Sequence, residues 1–370
     1  MDLLISAGEA SGDLHGSRLL RELRNARPRI RAFGMGGARL EAAGLERIVA
    51  SEALSVFGVA EVLEKLPGLR KALGALDAAA RGREPAGAIL IDFPDFHGLL
   101  ARRLRRRGVP LIYYISPQVW AWRRYRARRI AQRARRIITL FPFEAEIYRR
   151  LGADAVCAGH PLVEDVREGL AGPSPLPPKT RRRLVLLPGS RDTELRRHWN
   201  TMADAAAALA SRFDLELIAI RAEELPERLF PRAAQRGICV VAGGLHPILA
   251  SADLALVASG TVTLEAALCG TPMVVVYKTS AFTWAVARAL VRLRWASLVN
   301  IVAGEAIVPE LIQNDFTVDR LTAAGAQLLS EPERLEAMRA GLARVAQELG
   351  PPGASARAAE LVLSALESRP

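Results

Sequence analysis

Ten short apolar runs alternate with helix-length segments, five on either side of a Gly/Pro-rich break. In the first half these are LLISAG (3–8), IRAFGMGG (30–37), GAILID (87–92), PLIYYIS (110–116) and RRIITLF (135–141). Most lack polar alternation, as strands covered on both faces do. Helical stretches such as HGSRLLRELRN (15–25) and FHGLLARRLRRR (96–107) lie between them. Parallel strands need long connections that pack back on the sheet, so the pattern confines the chain to an open α/β sheet with right-handed crossovers. After GLAGPSPLPPKT (169–180), which has no periodicity and reads as a linker, the pattern restarts. Its runs are RLVLLPGS (183–190), LELIAI (215–220), ICVVAGG (238–244), ADLALVASG (252–260) and PMVVVYK (272–278).

Two Rossmann-like domains are therefore expected, over 1–168 and 181–344 with 169–180 between them. Periodicity does not decide which one the final helices cover, and residues from about 345 to 370 can pack back on the first. In open α/β sheets ligands bind beyond the carboxyl ends of the strands. Every chemically suggestive segment here falls at such an end, so an interdomain active site is expected.

Composition narrows the class. Of 370 residues, 50% are hydrophobic and 24% charged, the balance of a soluble globular chain. Cys157, Cys239 and Cys269 are scattered without metal-ligand spacing, which points to a reducing compartment and to neither disulfides nor structural zinc. No signal peptide and no membrane-spanning helix are expected. The net charge of +12 is local: residues 101–136 hold 13 arginines and no acid, while the rest of the chain carries 38 basic against 39 acidic groups. A local positive field implies a dock for something anionic, a nucleic acid or an anionic membrane, against the plainer reading of a solvated Arg-rich face.

In the second half, ASGTVTLEAALCGTPMVVVYK (258–278) places Ser259, Gly260 and Thr261 between a strand and a helix. Free amides, hydroxyls and the helix's positive end suit a diphosphate, and Glu265 one turn on can accept from ribose hydroxyls. The alternative is ordinary helix capping by Ser259 or Thr261, with Glu265 in a capping arrangement. LPGSR (187–191) is a second such end, where Gly189 and Ser190 offer donors and Arg191 a planar fork for phosphate. Neither is a Walker motif.

In the first half, IDFPDFH (91–97) presents two carboxylates. Asp92 ends an apolar strand and is the choice for a general base; Asp95, after Pro94, suits capping of the next helix. His15, His97 and His160 read as structural or substrate-contacting. No D-x-D pair or metal-spaced cluster is present, so no metal is expected. The loop SAGEASGDLHG (6–16) has glycines at a strand-to-helix turn without dinucleotide spacing, and an acid within it. YYISPQVWAWRRYRARR (113–129) sets Trp120 and Trp122 beside arginines, and SAFTWAVARALVRLRWASL (280–298) adds an amphipathic stretch with Trp284 and Trp295. Such pairing suits single-stranded nucleic acid or a membrane interface. Two stretches together favour lipid over RNA, unless the second is a packed core helix.

Taken in order, SAGEASGDLHG, GMGG, SVFGVAEVL, IDFPDFH, YYISPQVWAWR, LFPFE, AGHPL, LPGSR, ASGTVTLEAALCGTPMVVVYK and SLVNIVAGEAIVPELIQ span residues 6–313. From Ser6 to Gln313 they together resemble the lipid A disaccharide synthase family, inverting glycosyltransferases of GT-B architecture: two facing Rossmann-like domains with a cleft between them. The resemblance implies UDP-2,3-diacylglucosamine as donor and 2,3-diacylglucosamine 1-phosphate as acceptor. The products are a β-1,6-linked tetraacyl disaccharide 1-phosphate and UDP, with no cofactor. It implies catalytic importance for Glu9, Asp92, Arg191 and Asn300. Nucleotide contacts fall to Gly189, Ser190, Ser259, Gly260, Thr261 and Glu265, and acceptor or lipid contacts to Ser11, Gly12, Asp95, Trp120, Trp122 and Arg123. Phe93 and His97 stand where many members have Ala and Asn, and Gln118 where Ser is common, departures that touch acyl or acceptor contacts. A cytoplasmic enzyme, peripheral at the inner membrane's cytoplasmic face and binding no nucleic acid, is expected; a homodimer stays open. The competing readings are another UDP-sugar enzyme of this architecture, a peptidoglycan GlcNAc transferase or a UDP-GlcNAc 2-epimerase, and an RNA-binding protein.

Overall fold

The computed structural model describes residues 1–53, 59–121, 125–290 and 293–367. It divides into two compact units, Met1–Pro161 with Gly350–Pro370, and Leu162–Leu349. The first unit runs β1 (Asp2–Ala7), α1 (Ala10–Ala26), β2 (Arg31–Gly36), α2 (Ala38–Ala42), β3 (Leu45–Ala50), α3 (Val59–Arg83), β4 (Gly87–Ile91), α4 (Pro94–Arg106), β5 (Leu111–Tyr114), α5 (Tyr125–Ala131), β6 (Arg136–Thr139), α6 (Pro142–Arg149) and β7 (Ala155–Cys157). Its strands form one parallel sheet in the order β3-β2-β1-β4-β5-β6-β7. Alternate residues of each central strand feed two separate cores. Leu4, Phe33, Leu90 and Tyr113 face one, and Ile5, Ile89, Ile112 and Tyr114 the other, all buried. That is why the strands read as unbroken apolar runs.

The second unit runs α7 (Leu162–Ala171), β8 (Arg182–Leu187), α8 (Asp192–Ala210), β9 (Leu215–Arg221), β10 (Ile238–Ala242), α9 (Leu245–Ser251), β11 (Leu254–Ala258), α10 (Val262–Leu268), β12 (Met273–Tyr277), α11 (Ala281–Leu290), α12 (Leu298–Ala303), β13 (Glu310–Ile312), α13 (Val318–Ser330) and α14 (Pro332–Glu348). Its parallel sheet has the order β10-β9-β8-β11-β12-β13. In both sheets the direction of strand addition reverses once, between β1 and β4 and between β8 and β11. Such a switch point opens a crevice because the flanking crossovers leave on opposite faces.

One boundary differs from the sequence reading, and the last helix takes the place on the first unit that the reading left open to it. Residues 162–180 belong to the second unit and are not a free linker. The Lys179 ammonium lies 2.9 Å from the Asp253 carboxylate, and Arg183 Nη2 donates to the Pro177 carbonyl. The Gly169 Cα abuts the His246 ring so closely that a Cβ would fall 1.9 Å from Nδ1. Glycine and proline here serve close approach, which composition alone does not separate from flexibility. The last helix, α15 (Ala354–Glu367), packs on α1 in the first unit. Arg357 Nε donates to the Ala158 carbonyl and Arg136 Nη1 to the Leu361 carbonyl.

Candidate active site

In the second unit, the loops that follow β8 and β11 bring Gly189, Ser190, Arg191, Ser259, Gly260, Thr261 and Glu265 around one pocket of about 720 Å³. Leu187 and Val257 are register partners, so both loops leave the sheet at the same level. Gly189 has φ +121°, and a Cβ there would meet the Glu194 carboxylate at 2.9 Å, so the turn requires glycine. At Gly260 the added Cβ would meet nothing within 4 Å: the backbone is bare toward open space. Arg191 is exposed and lies 3.3 Å from Glu194. Thr261 holds the position before α10 without a side-chain cap bond, so the capping alternative does not describe this loop. Glu265 is instead held by His246, Nε2 to Oε2 at 2.9 Å.

Two placements correct the sequence reading. The Ser259 hydroxyl donates to the Ala296 carbonyl at 2.8 Å, so its proton is not directed at a ligand. Asn300 is fully buried and its carboxamide is saturated. Its Nδ2 donates to the Val308 carbonyl and to Glu310, and its Oδ1 accepts from the Ile307 and Val308 amides. Glu310 also accepts from the Ala296 and Ser297 amides. Asn300 and Glu310 thus brace the segment that holds Ser259, and Asn300 presents no group to a substrate.

The first unit repeats the arrangement at its own switch point. Ala7 pairs with Ile91, so Glu9 and Asp92, each within two residues of that pair, leave neighbouring strands at the same edge. Asp92 and Phe93 have φ of +52° and +50°, a left-handed turn unusual for side chains other than glycine. His97 holds it. The ring is fully buried, with Nδ1 on the Asp92 carbonyl and Nε2 2.8 Å from Ser6 Oγ. A carbonyl only accepts, so Nδ1 carries the proton and Nε2 accepts from the serine. Burial lowers this histidine to about 4, in keeping with a neutral ring. Burial also raises the half-buried Asp92 carboxyl, against a hydrogen bond from the Phe93 amide.

The glycine loop is packed from within. A Cβ on Gly8 would lie 2.2 Å from the Phe93 ring, and Gly12 is buried against Ala7 and Ile91. These glycines serve packing, and Gly12 is not an acceptor contact. Asp13, the buried acid of the loop, accepts from the Gly37, Arg39 and Leu40 amides at 2.7, 3.0 and 3.1 Å and so fixes α2. Glu9 and Ser11 are exposed. Asp95 does not cap α4: Phe93 occupies that position with Pro94 next, and Asp95 pairs with Arg126.

Trp120 is buried, with Nε1 donating to Glu144 at 2.9 Å, and is a core residue where a lipid contact was expected. Trp122 and Arg123 lie outside the described residues. Of the arginine run, Arg103 and Arg107 pair with Asp77, Arg136 pairs with Asp154, and Arg105 binds the Gln132 carbonyl. The plain structural reading holds for those. Helix α11 exposes Phe282 and Val286, so it is not a packed core helix.

A family model described as "Lipid-A-disaccharide synthetase" matches residues 3–363. Curated relatives named lipid-A-disaccharide synthase include one from Anaeromyxobacter dehalogenans, 44% identical over 98% of this chain and 97% of its own. Another, from Geobacter sulfurreducens, is 40% identical with the same coverage. The chain belongs to this family. It is an enzyme of lipid A disaccharide synthesis. Among solved structures, a putative UDP-N-acetylglucosamine 2-epimerase from Listeria monocytogenes (TM-score 0.66, 15% identity, 99% of this chain and 96% of that one) and the calicheamicin glycosyltransferase CalG4 (0.66, 17%, 100% and 99%) share the two-domain α/β fold. At those identities they speak for fold alone.

Several residues of this site went unread in the sequence. His198 on α8 does for the Gly189 loop what His97 does for Asp92: buried, it sits 2.8 Å from the Pro188 carbonyl and accepts from the Lys278 amide at 2.9 Å. His246, Glu194 and Glu310 complete the list. Their partners lie 3 to 80 positions away, and no local spacing announces such pairs.

Proposed function

We propose that the enzyme transfers the sugar of UDP-2,3-diacylglucosamine to the 6-hydroxyl of 2,3-diacylglucosamine 1-phosphate. Asp92 takes the hydroxyl proton as the oxygen attacks the anomeric carbon from the face opposite the diphosphate. The C–O bond to UDP breaks, UDP leaves as the anion, and the new linkage is β-1,6 with inverted configuration. The second unit holds the donor. Amides of the Gly189 and Gly260 loops and the Arg191 fork bear the diphosphate charge, and Glu265, oriented by His246, accepts from the ribose. Glu9 orients the acceptor beside Asp92. A nucleoside diphosphate is a good leaving anion, so one base suffices and no metal is invoked. Among the described residues no three His, Cys, Asp or Glu side chains are grouped to hold one; unchanged turnover in excess EDTA is the expected result.

The observation that carries this reading is the pocket at the second switch point, lined by both phosphate-suited loops in a chain of this family. Its test is direct incubation with both lipids and mass spectrometry of the products. A tetraacyl disaccharide 1-phosphate and UDP in equal amounts support it, and no disaccharide contradicts it.

Acyl chains on both substrates place the work at a membrane surface, on the cytoplasmic face of the inner membrane. Among the described residues no helix is long and apolar enough to span a bilayer. The local positive field of the first unit supports peripheral attachment through its arginine-rich part.

A further inference from the structure

Between α4 and α5 the first unit has a second depression, of about 420 Å³. Its walls carry Arg102, Arg126, Arg129 and Arg133, and its only carboxylate is Asp95. Asp95 is paired with Arg126. Arg133 donates to the Gly98 carbonyl at 3.0 Å, and Arg129 lies over the Tyr125 ring at 5.2 Å. Among the described residues Arg102, Arg129 and Arg133 have no carboxylate partner, which leaves the depression with a net charge of about +3. Two large apolar side chains stand exposed on its rim, Leu99 at 58% and Tyr125 at 53%.

Polar and apolar parts have different requirements here. Exposed leucine and tyrosine beside unpaired guanidinium groups are costly in water and favourable at a lipid interface, where apolar side chains enter the acyl boundary and arginine meets phosphate. A soluble anion would use the arginines and leave Leu99 and Tyr125 in water. RNA would need more than one exposed stacking ring, and among the described residues of this depression Tyr125 is the only one exposed, Tyr113 being buried in its floor.

We propose that this depression binds the phosphate headgroup of an anionic glycerophospholipid, with Leu99 and Tyr125 inserted beside it, and so docks the first unit on the membrane. The proposal rests on the peripheral-membrane reading above and gives it an address.

The test is flotation of the full chain with vesicles of neutral phosphatidylcholine, or of phosphatidylcholine containing phosphatidylglycerol, at low and high salt. Wild type should float only with the anionic vesicles and detach as salt rises. Each basic residue near an anionic surface contributes roughly fivefold to partitioning, so Arg102→Gln with Arg129→Gln should weaken binding about 25-fold. Leu99→Ala should weaken binding to the anionic vesicles at low salt, because it removes apolar insertion while leaving every arginine in place. Turnover in neutral detergent micelles should be unchanged in both variants, which also shows that they are folded. If wild type floats and the double variant floats equally well, the membrane reading stands and this site is overturned. If wild type ignores anionic vesicles, both fall. If the double variant raises the acceptor KM in micelles, or free glycerol 3-phosphate at millimolar concentration displaces the vesicles, the depression takes a soluble or substrate phosphate and the lipid assignment is overturned.

Discussion

Asp92 is half-buried at a strand end, and burial holds its carboxyl above the usual aspartate range. A base acts only when deprotonated, so the acid limb of kcat/KM should fall above the ordinary aspartate value of about 3.9. A limb at or below that value would mean that another group takes the proton. His97→Ala removes the brace on the left-handed Asp92 turn and should lower kcat at least tenfold while leaving UDP affinity unchanged. Asn, which can still donate to the same carbonyl, should restore part of it. Asn300→Ala strands two buried amides and a carbonyl at about 1–3 kcal/mol each. It should therefore lower the melting temperature together with activity, whereas a substrate-contacting residue would lower activity alone. Buried Glu144 is raised from 4.5 to about 7, burial outweighing the hydrogen bond from Trp120. The folded state then holds more protons than the unfolded one between those values. Its contribution is full below about 4.5 and lost as pH rises through about 7. Glu144→Gln should gain thermal stability relative to wild type on going from pH 5 to pH 8; an unchanged difference would contradict the buried carboxyl. At this scale strand-end placement was legible in the sequence, since the positions of Asp92, Arg191 and Gly260 after β4, β8 and β11 are read from neighbours in the chain. It hid side-chain partners, since the acids of Trp120 and Asn300, Glu144 and Glu310, lie 24 and 10 positions away.

At the scale of elements, all ten apolar runs are strands, and the three strands unread in the sequence are β3, β7 and β13. Each is an edge strand, partly exposed and in two cases three residues long. An edge strand is covered on fewer sides, so it lacks the unbroken apolar signal of the central ones. The two histidine braces share one design. In each unit the helix after a switch-point strand carries a buried histidine that pins a carbonyl of the strand's exit loop, Asp92 in one and Pro188 in the other. Helix α15, whose home periodicity left undecided, buries Ala358, Ala359, Val362 and Ala365 against the first unit. Four buried apolar side chains contribute on the order of 5 kcal/mol, comparable to the whole stability of a small domain. Deletion of residues 350–370 should therefore yield protein that binds a hydrophobic dye and loses the first unit's cooperative melt. Cooperative unfolding around the first unit's buried Trp120, near the wild-type temperature, would contradict that packing.

At the scale of the molecule, one plan is used twice. Each sheet reverses direction once, and the residues suited to chemistry stand at that reversal: Glu9 and Asp92 in one unit, the Gly189 and Gly260 loops in the other. In the proposed mechanism the labour divides accordingly, nucleotide on the second unit and proton transfer on the first. Glu9→Ala should share that signature, with turnover crippled and UDP binding kept, while Glu265→Ala should weaken UDP itself. The most direct measurement is turnover of Asp92→Asn at saturating concentrations of both substrates, with UDP affinity determined calorimetrically on the same preparation. A general base at Asp92 requires UDP binding within about twofold of wild type and turnover lower by about 10² to 10⁴, the range such a base supplies. Turnover within tenfold of wild type, with UDP binding intact, would contradict it.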